Sequence, residues 1–188
     1  MHALDAYRPD ASWYLHNPRG IHGRGHACRV LAWANHLARA SAQDGQAVDL
    51  EAVRWAAVLH DVRRVSDGPD PEHGARAAAW VREHAQQILP PGLGAETVER
   101  IAYVVRWHVP DDQDAPELTP ELIVLKDADS LDRVRLGPGR LDVRYLRTSL
   151  ARELPAAAGR LWRTSATSAT GDPWTRSRAA AIALGVWA

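Results

Sequence analysis

The adjacent pair His60-Asp61 closes the most apolar run of the chain, VRWAAVL at 53–59. Two ionisable groups at the end of so apolar a segment are costly to bury without compensation, and a divalent cation supplies it. Successive helix residues point about 100° apart, so the pair cannot chelate in one tight direction, but both can flank an ion if other elements complete its shell. Three further histidines sit at the ends of predicted helices: His26, His73 and His108. The KDADSLD run adds Asp127, Asp129 and Asp132, which periodicity does not separate because the LIVL before them is apolar on every side. A mixed histidine and carboxylate set suits iron, manganese, zinc or another divalent ion, with water in the remaining positions.

The elements that must position these groups read as helices throughout. From His26 to Ala40 the apolar residues Val30, Leu31, Ala34, Leu37 and Ala38 recur at three- and four-residue steps. Asp49 caps a second helix, Leu50 to Val62, which is apolar nearly all round and therefore central. Asp70-Pro71 opens a third, running to about Ala85, and LPPGLG at 89–94 breaks the chain. A fourth runs from Ala95 to His108, and a fifth starts at Thr119-Pro120 and carries the aspartates. After the GPG break at 137–139, Leu141 to Trp162 reads as helical with an interruption at Pro155. The small, polar TSATSATGD at 164–172 reads as a flexible connection before a short helix around Arg176 to Leu184. No β-hairpin pattern or internal repeat is present, so the fold class is all-α.

Not every histidine can join the cluster. His84 follows His73 by eleven residues and so lies about 16 Å along the same helix, and His36 is removed from His26 in the same way. His2 and His16 fall in a segment without predictable geometry. His22, in HGRGH, can approach the site as a contact to a ligand or to substrate.

Composition narrows the partners. Lys+Arg and Asp+Glu both number 23, giving a formal net charge of zero, so no basic excess exists to hold extended nucleic acid. No window reaches the 18 to 20 apolar residues of a membrane span, and the N-terminal segment has no basic patch followed by an apolar stretch. We expect a cytoplasmic protein with no membrane partner. The single cysteine, Cys28, excludes an intrachain disulfide and any CxxC motif.

The ordered set His26 in HGRGHACRV, His60-Asp61 in AAVLHDVRR and Asp129 in LKDADSLDRV resembles the hallmark of the HD-domain superfamily of metal-dependent phosphohydrolases over about residues 20–150. The resemblance selects Asp129 among the three aspartates. It also implies that His73 and His108 hold a second ion, as in superfamily members with two metals. The expected architecture is an HD-domain-like helical bundle with a metal site between helices, spanning residues 1–163, with 164–188 as connection and C-terminal helix.

Such a site implies one or two divalent ions, drawn from Fe, Mn, Zn, Co, Ni and Mg, and hydrolysis of a nucleotide or other small phosphate ester by a hydroxide generated on the metal. Asp61 then serves both as ligand and in catalysis. Arg63, Arg64 and Lys126 are the expected catalytic cations, with Arg133 nearby, each having a surface ion pair as its alternative role. The resemblance leaves two other readings open, a mixed-valent di-iron oxygenase on the same ligands and a non-catalytic nucleotide-binding module. A homo-oligomer is compatible with the composition.

Overall fold

Helix α1 (Arg24–Gln43) starts where the chain makes a close backbone approach: a Cβ on Gly23 would stand 2.3 Å from the carbonyl oxygen of Pro18. Glycine is therefore required at the cap, and the loop carrying His22 is held against the helix start. α2 (Leu50–Leu59) opens with the Asp49 carboxylate accepting from the Ala52 amide, which satisfies one of the orphan donors of the first turn. Almost all of α2 is buried, including Val53, Ala56, Ala57, Val58 and Leu59. It forms the centre of the bundle, packed against α1, α4 (Ala95–Trp107) and α5 (Pro120–Asp132). The computed structural model describes residues 2–167 and 171–187; among them there are eight α-helices and no strand.

α3 (His73–Ile88) lies against α4 at a contact that only glycine permits, since a Cβ on Gly74 would stand 2.9 Å from the carbonyl oxygens of both Val105 and Arg106. The first turn of α3 thus meets the last turn of α4, the two places that carry His73 and His108. α5 begins as its sequence indicates, with the Thr119 hydroxyl accepting from the Leu122 amide and Pro120 in the first turn. Leu31, Trp33 and Leu37 of α1, Ile101 of α4, and Leu122, Leu125 and Leu131 of α5 fill the core, each contributing about 1.5 to 3 kcal/mol by leaving water.

Five boundaries differ from expectation. α3 opens at His73 after Glu72, not at Asp70-Pro71, and Asp70 does not cap it. α2 stops at Leu59 rather than Val62, and His60 to Arg64 form a turn in which the Arg64 amide bonds the Asp61 carbonyl. The segment 141–162 is not one helix: a 3-10 turn (Val143–Tyr145) and α6 (Ser149–Glu153, capped by Thr148) precede α7 (Pro155–Thr167), in which Pro155 is the first residue rather than an interruption. Residues 164–167 of the expected connection continue α7, while 168–170 lie outside the described residues. α8 (Pro173–Ala183) begins three residues earlier than expected because Asp172 caps it, accepting from the Trp174 amide. It packs on α1, with Trp174 and Ser177 buried. Asp5, near the N-terminus, pairs with Arg178 and so fastens the N-terminal segment to this helix. No helix among the described residues is long and apolar enough to cross a membrane.

Candidate metal centre

All six expected ligands converge. His26 Nε2 lies 3.1 Å from His60 Nε2, 3.4 Å from Asp61 Oδ2 and 3.3 Å from Asp129 Oδ1. His73 Nε2 lies 2.9 Å from both His108 Nε2 and Asp61 Oδ1. Asp61 thereby divides the cluster, with Oδ2 facing His26 and His60 and Oδ1 facing His73 and His108. The pair sits where α2 ends: His60 keeps helical backbone angles as its C-cap, and the turn that follows, closed by the Arg64 amide on the Asp61 carbonyl, carries the chain away from the centre.

The ring protons are accounted for by acceptors that cannot donate. Nδ1 of His60 donates to the Ala57 carbonyl at 2.9 Å, Nδ1 of His108 to the Val105 carbonyl at 2.7 Å, and Nδ1 of His73 to the Asp70 carbonyl. Nδ1 of His26 donates to Asp132 Oδ2 at 2.7 Å. In the neutral rings each Nε2 is then a lone pair. Four such lone pairs and the carboxylates of Asp61 and Asp129 point at one another from within about 3 to 4 Å, where they repel unless positive charge stands between them. Ligands held 2.0 to 2.2 Å from an ion are separated by about 3 Å along a coordination edge, which fits these spacings. The donor set therefore fits divalent metal, and three overlapping groups have their donor atoms close enough together that they could hold an ion: His22, His26 and Asp61; His26, His60 and Asp129; His60, Asp61 and His108.

The electrostatics agree. Burial holds His60 down to about 4 and His108 down to about 3, so both rings are neutral at physiological pH, the form in which an imidazole can ligate metal. Burial acts on His26 too, but Asp129, Asp132 and Asp61 outweigh it and raise the ring to about 9, a measure of how strongly the carboxylates at this point favour a positive charge. For Asp61, burial is overcome by His60, His22, His26 and His73, which hold its carboxyl well below the usual range.

The three aspartates of α5 separate by function. Asp129 faces the cluster. Asp127 is buried and accepts from the Arg147 and Thr148 amides, fixing the start of α6. Asp132 is also buried; it accepts from Nε and Nη2 of Arg29 at 2.6 and 2.9 Å and orients His26. Sequence reasoning left Asp132 as an undistinguished alternative, and its signal was its position one helical turn beyond Asp129. His22 belongs to the cluster more closely than its sequence suggested, with Nδ1 2.8 Å from Asp61 Oδ2 and 3.1 Å from Arg135 Nη2. Arg135 was not anticipated. His84 stacks on Trp80 and His36 on the edge of Trp33, away from the centre.

The expected catalytic cations are distributed unequally. Arg64 is buried beside the cluster, with Nη1 3.7 Å from Asp61 Oδ1 and Nη2 donating to the Gly68 carbonyl. Arg63 is not brought there: it donates to the Trp13 carbonyl and lies over the Trp80 ring at 5.2 Å. Lys126 reaches the cleft wall, but its ammonium is held by the Pro110 carbonyl at 2.6 Å and Asp112 at 2.9 Å, so it braces the loop after His108. Asp61, His73, His108 and Asp129 of the cluster, with His22, line a cleft of about 1210 Å³ whose walls include Arg64, Arg133, Arg140 and Arg147. Arg147 is paired with Asp112 and Asp127, whereas Arg133 and Arg140 form no ion pair among the described residues.

A family model described as HD domain matches residues 23–134. Neither a curated protein nor a solved structure matches the chain.

Proposed function

The chain belongs to the HD domain family, and on that premise we propose that it is a metal-dependent phosphohydrolase acting on a nucleotide or other small phosphate ester. The observation that carries this reading is the position of Asp61, whose two oxygens face two histidine pairs at the floor of an arginine-walled cleft. His26, His60, Asp61 and Asp129 would hold one divalent ion, and Asp61, His73 and His108 a second. Bound there, such ions lower the pKa of water and draw electron density from a phosphoryl oxygen.

The residues of the chain supply the remainder. Arg64, next to Asp61, is placed to neutralise charge that develops on a transferring phosphoryl group. Arg133 and Arg140 attract the dianion into the cleft and orient it. Asp70 and the carbonyls of Ala57 and Val105 fix the ring tautomers, so each imidazole offers Nε2 without rearrangement. Lys126 and Arg147 hold Asp112, and with it the loop that closes one wall.

The test is phosphate release from a panel of nucleotides and small phosphate esters, under nitrogen, by full-length protein loaded with manganese. Hydrolysis without oxygen supports the reading. Strict dependence on iron and dioxygen, with substrate oxidation and no phosphate released, would overturn it in favour of the oxygenase chemistry open to the same ligands.

A further inference from the structure

Beside His26, a second cavity of about 160 Å³ lies among the loop at 19–21, the start of α1, the segment after α5, the end of α7 and the start of α8, with Arg135 common to it and the cleft. Its lining contains four arginines, Arg19, Arg29, Arg135 and Arg176, and two hydroxyls, Ser165 and Ser177, and no Asp or Glu among the described residues. A lining so one-sided in charge stands out in a chain of net charge zero. The space is ample for an inorganic oxyanion.

The cavity is built by the fold rather than left over at its surface. Gly25 lets Pro173 of α8 come within 3.0 Å of where a Cβ would stand, and the same missing side chain leaves Arg29 Nη1 3.5 Å from that point. Ser177 is buried and its Oγ accepts from Arg29 Nη1 at 3.1 Å. Arg29 and Arg135 are fixed in turn by Asp132: Arg29 through its carboxylate, and Arg135 through its backbone carbonyl at 3.2 Å. Guanidinium groups held in this way bind an oxyanion without the entropy cost of ordering flexible side chains.

We propose that this cavity is a binding site for a small tetrahedral oxyanion, with inorganic phosphate as the chemistry it fits. The site adjoins the cleft, sharing Arg135 with it, and it touches the metal-candidate cluster through Arg29 to Asp132 to Nδ1 of His26 and through Arg135 to His22. An occupant drawing on Arg29 competes with Asp132 for the same guanidinium, and Asp132 orients a metal-facing ring. The proposal is independent of whether the cleft hydrolyses phosphate esters.

The experiment titrates inorganic phosphate into full-length, manganese-loaded protein by calorimetry, comparing wild type with Arg19→Glu, Ser165→Asp and Arg64→Ala. Arg19 is exposed and has no side-chain partner among the described residues, so its replacement leaves the fold intact; metal content and thermal unfolding without phosphate check this for each variant. A cavity site predicts that Arg19→Glu and Ser165→Asp each weaken phosphate binding at least tenfold while Arg64→Ala leaves that binding event in place. Binding that is unchanged in both cavity variants and abolished by Arg64→Ala places phosphate in the cleft alone and overturns the proposal. Absence of any binding in wild type up to tens of millimolar phosphate overturns it equally.

Discussion

His73 Nε2 stands 2.9 Å from Oδ1 of Asp61, while the other oxygen of the same carboxylate faces His26 and His60. One side chain is thus shared by two half-sites. Removing His73 or His108 should lower bound metal from about two ions to about one per chain with the fold retained, whereas His60→Ala or Asp61→Ala should remove metal almost completely. Elemental analysis of protein purified without chelator distinguishes these outcomes, and unchanged stoichiometry in the His73 and His108 variants would exclude the second half-site.

Asp132→Ala should act on both stability and metal. It leaves the half-buried Arg29 guanidinium and buried His26 Nδ1 without their carboxylate, a loss of about 2 to 4 kcal/mol, somewhat below that of a fully buried broken pair. Metal affinity should fall about ten- to a hundredfold because the His26 ring loses its orienting partner. Urea unfolding and competition with a chelating dye measure the two effects; a variant as stable as wild type would refute the role given to Asp132.

Adjacent arginines should behave differently. Arg64→Ala should reduce turnover about ten- to a thousandfold through lost charge stabilisation, while Arg63→Ala, which removes a cation lying over Trp80, should leave kcat within about threefold. Equal losses in the two variants, with unfolding midpoints unchanged, would contradict this division.

The Arg147 guanidinium holds the Asp112 carboxyl down to about 2, against an ordinary value of 3.8. A depressed carboxyl contributes stability that is present above pH 3.8 and is lost as the pH falls toward 2. Asp112→Asn should therefore cost under about 1 kcal/mol at pH 6, because the pair is partly exposed, and the difference from wild type should close between pH 4 and 2. Chemical denaturation at a series of pH values reads this directly, and a gap that widens on acidification would be the wrong sign.

Gly74→Ala should separate α3 from α4. Its Cβ meets two backbone carbonyl oxygens at 2.9 Å, which cannot yield as a flexible side chain can, so a cost of about 1 to 3 kcal/mol is expected. The displacement falls beside His73, so the variant should lose the ion between His73 and His108 before the one at His26 and His60. Full two-ion loading of the variant would show that the close approach is not what sets the half-site.

Two helix starts were legible from local caps: Asp49 and Thr119-Pro120 bond amides three residues away and are read from short patterns, whereas the equally local caps Thr148 and Asp172 lie in stretches that read as one long helix or as connection. The residues that converge around Asp61 were legible through their family order, which encodes contacts too distant for periodicity to supply. What escaped depends on the backbone after a helix ends. The turn at His60 to Arg64 sends Arg63 toward Trp80 and Arg64 toward Asp61, and no pattern of residue types predicts which of two neighbouring arginines turns inward. Asp132 and Arg135 escaped for a related reason: their partners, His26 and His22, lie more than 100 positions away.

That separation bears on how the protein is made. His60, Asp61, His73 and His108 leave the ribosome within a short stretch, but His26 waits for Asp132, 106 residues later, before its ring is turned toward the centre. The half-site at His73 and His108 can be assembled on a growing chain, while the one containing His26 cannot be completed until α5 has been synthesised and docked against α1. On the proposed two-ion reading, metal bound at the second of these places would report that α5 has docked on α1, and would tie the first helix made to the fifth of eight while α8 has still to pack on α1.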